Sequence, residues 1–562
     1  MGQGAALTPA GVTRRSLLAG TLSAGGVACG AAALGGCTRS VEAPLWQGGW
    51  VGAGAERGHR LRGERGLSLP TPAASQRVSV LVLGAGVAGL SAARALIAAG
   101  VDDIRVIELE DQAGGNSRGH HIAGIACPLG AHYLPLPGPQ AREVQQLLHE
   151  LGLARQELGR TVYDERHLCH SPQERLFIDG AWHEGLLPPA EPGSETFEQY
   201  RRFAAEVASS QQALGFAIPT ARAPWSAGHT RLDAITFSQW LDERRFSDPK
   251  LRWFLDYSCR DDYGAGAAQV SAWAGLHYFA SRHGFHAPGD QDGERDAVLT
   301  WPEGNAWLTT RLAPALGERL LTGQVVLRVV AARHEVVVDT WNAAAIRPER
   351  WSAAHLVVAL PLFVARRVID SPPEALVQAS AQLHYAPWLV ANLHLNEPLL
   401  ERPGAPAAWD NVRYGSRALG YVDAMHQSTR AHAGPTVLTA YHALGGVDGV
   451  GVGVGKGANA RAALLERDWR PWAQFAVDEL APTHPDLARK TTHIDLMRYG
   501  HAMSIPAPGV RAGAALAQLA QPQGRLAFAH SDLSAYSVFE EAYIHGQRAA
   551  GQLLKLAKRL RP

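Results

Sequence analysis

The sequence predicts the α/β class, and three observations in one stretch carry that prediction. Val78 to Leu83 is a short apolar run rich in β-branched residues, the pattern of a parallel strand buried on both faces. Gly84-Ala85-Gly86-Val87-Ala88-Gly89 follows at once and opens an Ala-rich helical stretch, Leu90 to Ala99, that ends at Gly100. A second apolar run, Ile104 to Ile107, ends at Glu108, 19 residues after Gly89. Gly84 permits the tight turn, Gly86 lets backbone approach a pyrophosphate, and Gly89 lets the helix pack closely on the strand. The phosphates would sit at the helix N-terminus, where N–H groups and the macrodipole favour negative charge. Glu108 is placed to accept hydrogen bonds from ribose hydroxyls. Strand, glycines, helix, strand and acid in register specify a Rossmann-like dinucleotide site.

Length and composition set the frame around that site. The 562 residues are 46% hydrophobic and 19% charged, a globular composition with room for two or three domains. A net charge of +1 without a long basic run makes no case for nucleic-acid binding. No CxxC pair or clustered His/Cys spacing supports a metal site, and the doublet His120-His121 reads as surface or core.

The elements are then expected in the following order. Arg14-Arg15 precede a weakly apolar Ala/Gly-rich run to about Leu34, of signal length but too glycine-rich for a spanning helix. Thr13-Arg14-Arg15-Ser16-Leu17-Leu18 resembles a twin-arginine export signal. Leu34-Gly35-Gly36-Cys37 resembles a bacterial lipobox, which implies cleavage after residue 36 and acylation of Cys37. The resemblance implies an exported chain on the periplasmic face, with the twin-arginine machinery and, through the lipid, a membrane as partners. Residues 37–76, rich in Gly, Arg, Pro and Ser, read as a tether, with Trp46 and Trp50 able to pack on the body or touch lipid. Of the five cysteines only Cys127, Cys169 and Cys259 lie beyond Cys37, enough for one disulfide of unspecified pairing.

Beyond Glu108 the chain resembles the flavin amine oxidase superfamily. Glu108 is followed after five residues by Gly114-Gly115, as in that family, where the glycine pair lies against FAD. Asn116 stands where arginine is usual, and Arg118 is the candidate to replace its charge. "WPEGNAWLTTRLA" (Trp301 to Ala313) is similar to the family's proline–glycine segment and following helix. "LLTGQVVLRVV" is similar to the strand that meets the adenosine end of the cofactor, here through Val326. "HLVVALPLFVARRVI" (His355 to Ile369) resembles the family's strand and turn. "LAFAHSDLSAYSVFEEAYIHGQRAA" (Leu526 to Ala550) resembles its C-terminal signature, with Asp532 and Glu541 as cofactor-binding acids.

The resemblance implies a discontinuous FAD-binding domain (77–135, 298–375 and 516–562) with an inserted α+β substrate domain. The insert reads as mainly helical over 136–297, from amphipathic patterns such as "FEQYRRFAAEVASSQQAL", and as sheet over 376–515. Tyr536 and Phe539, inside the flavin-facing signature, and His501 in "RYGHAM" are the candidate catalytic residues. "SCRDDYG" (Ser258 to Gly264) reads either as an internal ion-pair cluster or as a carboxylate set against a cationic substrate. Many members carry a lysine near the flavin; the matching position here is Val390. The resemblance implies an FAD-dependent oxidoreductase acting on a small molecule, an amine of polyamine type. It also covers desaturation of an apolar isoprenoid or tetrapyrrole-like substrate with a quinone acceptor. A flavin- or polyamine-binding lipoprotein without turnover is the third reading. A second nucleotide site has no support: "GVGVGKGANA" lacks a preceding strand and a following acid, and reads as a loop.

Overall fold

Two large sheets organise the chain, and each strand's burial follows from what covers its faces. The computed structural model describes residues 46–63, 72, 75–289, 297–428, 430, 432–445 and 460–560. The twin-arginine pair, Cys37 and most of the loop "GVGVGKGANA" lie outside the described residues.

In the first sheet, strand Ser75–Leu83 runs parallel between Ile104–Ile107 and Arg347–Val358. Alternate residues serve opposite faces, as the period of two requires. Val80 and Val82 pack against helices Val87–Ala98 and Phe539–Leu560, while Leu81 and Leu83 pack with Leu362, Leu376 and Leu516. Strand Arg347–Val358 is shared. Its first half pairs antiparallel with Val336–Asn342 and its second half parallel with Leu526–Phe528. Early, middle and late segments of the chain therefore complete one sheet, which is why its strands are so thoroughly buried.

The second sheet has eight strands and is built around His384–Leu395, which pairs antiparallel with Thr491–Ile505 and Thr436–Ala443. Helices between Glu195 and Ala280 cover one face, and helix Trp469–Leu480 covers the other. Thr436–Ala443, covered on both sides, is buried at every position.

Two expectations need correction. The segment read as mainly helical over 136–297 opens on helix Arg142–Glu150, and its remaining helices begin only at Glu195. Between them lie the hairpins Ala154–Glu157 with Arg160–Tyr163 and Glu174–Ile178 with Ala181–Glu184. The second turns on Asp179-Gly180, both at positive φ, so "LFIDGAWHE" carried a hairpin signal of the Asp-Gly type. The segment read as a tether is folded in part. Gln47–Trp50 adds a parallel strand to the edge of the second sheet, and helix Ala55–Gly63 follows. Trp46 and Trp50 pack on the protein body: Trp46 Nε1 donates to Ala488 O at 3.3 Å, and the Arg498 guanidinium lies over Trp50. The three described cysteines are thiols. Among the described residues, no helix is long and apolar enough to cross a membrane.

Candidate active site

A cavity of about 470 Å³ lies where the glycine turn of the first sheet meets the middle of the second. Its floor is glycine for steric reasons. Gly84 has φ +93°, and a Cβ there would come 2.7 Å from Ala359 O. Gly86 bridges to Gly114, whose N–H donates to Ala85 O at 2.8 Å, so the two glycine motifs lie back to back. A Cβ on Gly115 would meet Gly86 Cα at 3.1 Å. Gly89 does not face the cavity; its missing side chain lets the helix approach Gly84 O, which a Cβ would meet at 1.8 Å.

Around this floor the other candidates take definite places. Glu108 lines the cavity, and its carboxylate accepts the N–H groups of Ala85 at 2.7 Å and Glu110 at 2.9 Å. Burial pushes its pKa up, against the pull of those two donors. Val326 lines the same wall. Asp532 is buried and also lines the cavity; its Oδ2 accepts the Leu362 N–H at 2.9 Å and the Tyr385 hydroxyl at 2.6 Å. Burial opposes its ionisation, but His530 and these donors hold its pKa below the usual carboxylate range. Phe539 lines the cavity at the start of the last helix, stacked on Tyr543. His501 lines it too, stacked 4.1 Å from Phe363 and bonded to Arg461.

Besides Gly89, three candidates are elsewhere. Arg118 donates to Gly115 O at 3.0 Å and Gly52 O at 3.1 Å, so backbone carbonyls and not the cavity take its guanidinium. Glu541 is fully buried, accepting the Thr220 N–H and the Ser534 hydroxyl; its neighbour Glu540 lines the cavity instead, its pKa pushed up to about 7 by burial. Tyr536 is fully buried, its hydroxyl 2.7 Å from both Asp262 Oδ2 and Arg282 Nη2. In each case a partner distant in sequence captured the polar group.

A second cavity, of about 300 Å³, shares His132, Tyr133, Asp261 and Arg282 with the first. The two acids of "SCRDDYG" divide at this junction. Arg260 pairs with Asp256 at 3.0 Å, and Asp262 with Arg282 at 2.9 Å. Asp261 instead faces both cavities, with the Tyr133 hydroxyl 3.5 Å away. Burial, then the charge of Asp262, pushes the Asp261 pKa up to about 7. Burial also pushes His132 down to about 3, leaving a neutral ring stacked 4.3 Å from Tyr441. Glu174 and Asp410 line the outer cavity with Tyr257 and Trp409. Burial, then the charges of Glu174 and Asp261, raises the Asp410 carboxyl well above its ordinary value. Of these residues the sequence pointed only to those of "SCRDDYG". His132, Tyr133 and Asp410 sit in no motif, and only the fold gathers them.

Val390 and Trp388, on the central strand of the second sheet, line the first cavity. Among the described residues no lysine lines either cavity.

Comparison with known proteins fits this arrangement. Residues 87–554 match the family model described as flavin containing amine oxidoreductase. A putrescine oxidase of Kocuria rosea is 33% identical over 175 residues, 30% of this chain and 31% of that protein. The chain thus spans less than a third of that relative's length in the alignment. Solved structures of similar fold include a putrescine oxidase bound to putrescine, with a TM-score of 0.62 and 18% identity over 86% of this chain and all of the other. Cyclohexylamine oxidase from Brevibacterium oxydans has a TM-score of 0.62 and 19% identity, at 86% and 100% coverage.

Proposed function

The chain belongs to the flavin-containing amine oxidoreductases, with FAD as cofactor, and from that membership we propose that it oxidises a diamine or polyamine. The observation that carries the substrate is the junction of the two cavities at Asp261. The first cavity fits FAD by its own chemistry: a floor lined by Gly84, Gly86, Gly114 and Gly115, an acid at Glu108, and a buried ionised acid at Asp532. Gly84, Gly86, Gly114 and Gly115 would hold the pyrophosphate region and Val326 the adenosine end. When bound, FAD supplies a two-electron acceptor for hydride.

The remaining work falls to the chain's own groups. Glu174, Asp261 and Asp410 make the outer cavity attractive to an ammonium group, and the faces of Tyr257 and Trp409 add to that attraction. The amine carbon gives up hydride only when its nitrogen is neutral and its lone pair is available. Asp261, with a pKa near 7, can take the ammonium proton at the boundary of the two cavities. The C–H bond then breaks with its electron pair, and the nitrogen lone pair forms the C=N bond of an iminium. A second ammonium left in the outer cavity faces Glu174 and Asp410, and its charge draws the raised Asp410 carboxyl toward its ionised form.

The test is anaerobic mixing of the flavin-loaded protein with a panel of amines. Diamines of some length should bleach the oxidised-flavin spectrum faster than monoamines of equal size. Bleaching by no amine would overturn the reading; equal bleaching by monoamines would overturn its diamine part.

We further infer that the chain is exported already folded and anchored through lipid. The supports are Arg14-Arg15 ahead of an apolar run and Leu34-Gly35-Gly36-Cys37 beyond it. Cys37→Ala should move the protein from the membrane to the soluble fraction. Membrane retention of that variant would refute the anchor.

A further inference from the structure

The family match begins at residue 87, yet the residues before the first strand of the cofactor sheet are built into the cavity. Gln47–Trp50 pairs in parallel with His493 to Leu496, and the Val51 N–H extends the ladder to Leu496 O at 2.9 Å. The chain then turns at Gly52, and helix Ala55–Gly63 brings Gly58 and Leu61 into the wall of the first cavity, which they share with Glu108, Leu109 and Val326. Those neighbours mark the adenosine half of a dinucleotide site.

The segment is fastened along its length. Both oxygens of Glu110 accept the Gly54 N–H, at 3.2 and 3.0 Å. Arg57 forms a two-pronged pair with Asp111, at 2.8 and 3.1 Å. The Arg60 guanidinium lies 4.0 Å from the centre of the Trp341 ring. Arg367 donates to Leu61 O. Arg118 ties the segment directly to the cofactor cradle, because one guanidinium bonds Gly52 O and Gly115 O together. A segment with no role beyond spacing would need none of these anchors, least of all one on the glycine pair.

We propose that residues 46–63 form a strap belonging to the cofactor site, covering the adenosine end of FAD and setting how slowly it leaves. The proposal rests on FAD being the cofactor. Departure of the adenosine end then requires the Glu110 and Arg57 anchors to open first. It also explains a use for the departure at Asn116: the charge at Arg118 holds the strap instead of the phosphates.

The test is the rate at which flavin fluorescence rises after dilution of the loaded full-length chain. Arg57→Ala combined with Glu110→Ala removes two anchors, and with the second the 3.9 Å approach of Glu110 to Arg118, while leaving every residue of the cavity wall in place. This variant should release flavin about tenfold faster, as expected for losing a surface ion pair and a charge-assisted hydrogen bond. Leu61→Ala, which trims the wall and leaves the anchors, should also speed release. Arg244→Ala, breaking an ion pair with Glu206 far from the strap, serves as the control for general loosening. Release by the double variant and Leu61→Ala at the wild-type rate would overturn the strap alone. A wild-type chain that holds no flavin would overturn the cofactor assignment and the strap with it.

Discussion

Adjacent residues on one helix can have unrelated jobs, and Asp261 and Asp262 illustrate how the fold decides. Successive helical positions point about 100° apart, so one carboxylate turns inward to Arg282 and Tyr536 while the other meets both cavities. "SCRDDYG" announced the charges but not this division, because Tyr536 lies 274 residues away. Asp261→Asn should lower kcat/KM roughly 100-fold or more, the usual worth of a positioned base. In the wild type, kcat/KM should rise with pH through about 7, as Asp261 loses its proton; a profile without that limb would remove Asp261 from the reaction. The same raised values bear on stability. Asp261 and Glu540 at about 7, and Asp233 at about 6, bind protons in the fold that the unfolded chain has already released. Their contribution is complete below the ordinary carboxylate range, about pH 4, and is lost as pH rises to about 7. Thermal unfolding of the flavin-free protein should therefore show Tm falling across that window, with a smaller fall in Glu540→Gln.

Elements tell the same story in terms of periodicity. The opening strand–turn–helix was legible because every local rule agrees there: β-branched residues, glycines at the turn, and an Ala-rich helix. The hairpin at Asp179-Gly180 was legible in principle but was outweighed by the helical patterns on its C-terminal side. The strand Gln47–Trp50 was not legible at all, since "QGGW" has no strand-like composition and pairs only because the edge of Thr491–Ile505 is available to it. Gly546 is the quieter case. It sits within the last helix, where glycine ordinarily weakens structure, and a Cβ there would come 2.2 Å from Ala88 O. Two helices, Val87–Ala98 and Phe539–Leu560, can thus press together beside the cofactor cradle. Gly546→Ala should destabilise the protein by about 1–3 kcal/mol, the usual cost of overpacking, and should lower Tm and flavin content together. An unchanged Tm would mean the helices can part without consequence.

At the scale of the whole molecule, the cofactor domain cannot close until its last segments are made. Leu526–Phe528 completes the shared strand, Asp532 caps the turn at Leu362, and Phe539–Leu560 covers the opening helix. Binding FAD stabilises only the closed state, by about 4 kcal/mol at a thousandfold excess over Kd, so the site is complete for loading only after the last segments are made. An export route for folded proteins suits such a chain, and the proposed twin-arginine signal can be tested on that logic. A chain ending before Leu526 lacks the closing strand, acid and helix, and should remain in the cytoplasm without flavin. Asp261→Asn keeps all three and loses only the proposed base, so it should be exported with a full complement of flavin while remaining nearly inactive. Fractionation of cells expressing both, with flavin measured in each fraction, separates a requirement for closure from a requirement for activity. Export of the truncated chain at the wild-type level would break the link between cofactor capture and export.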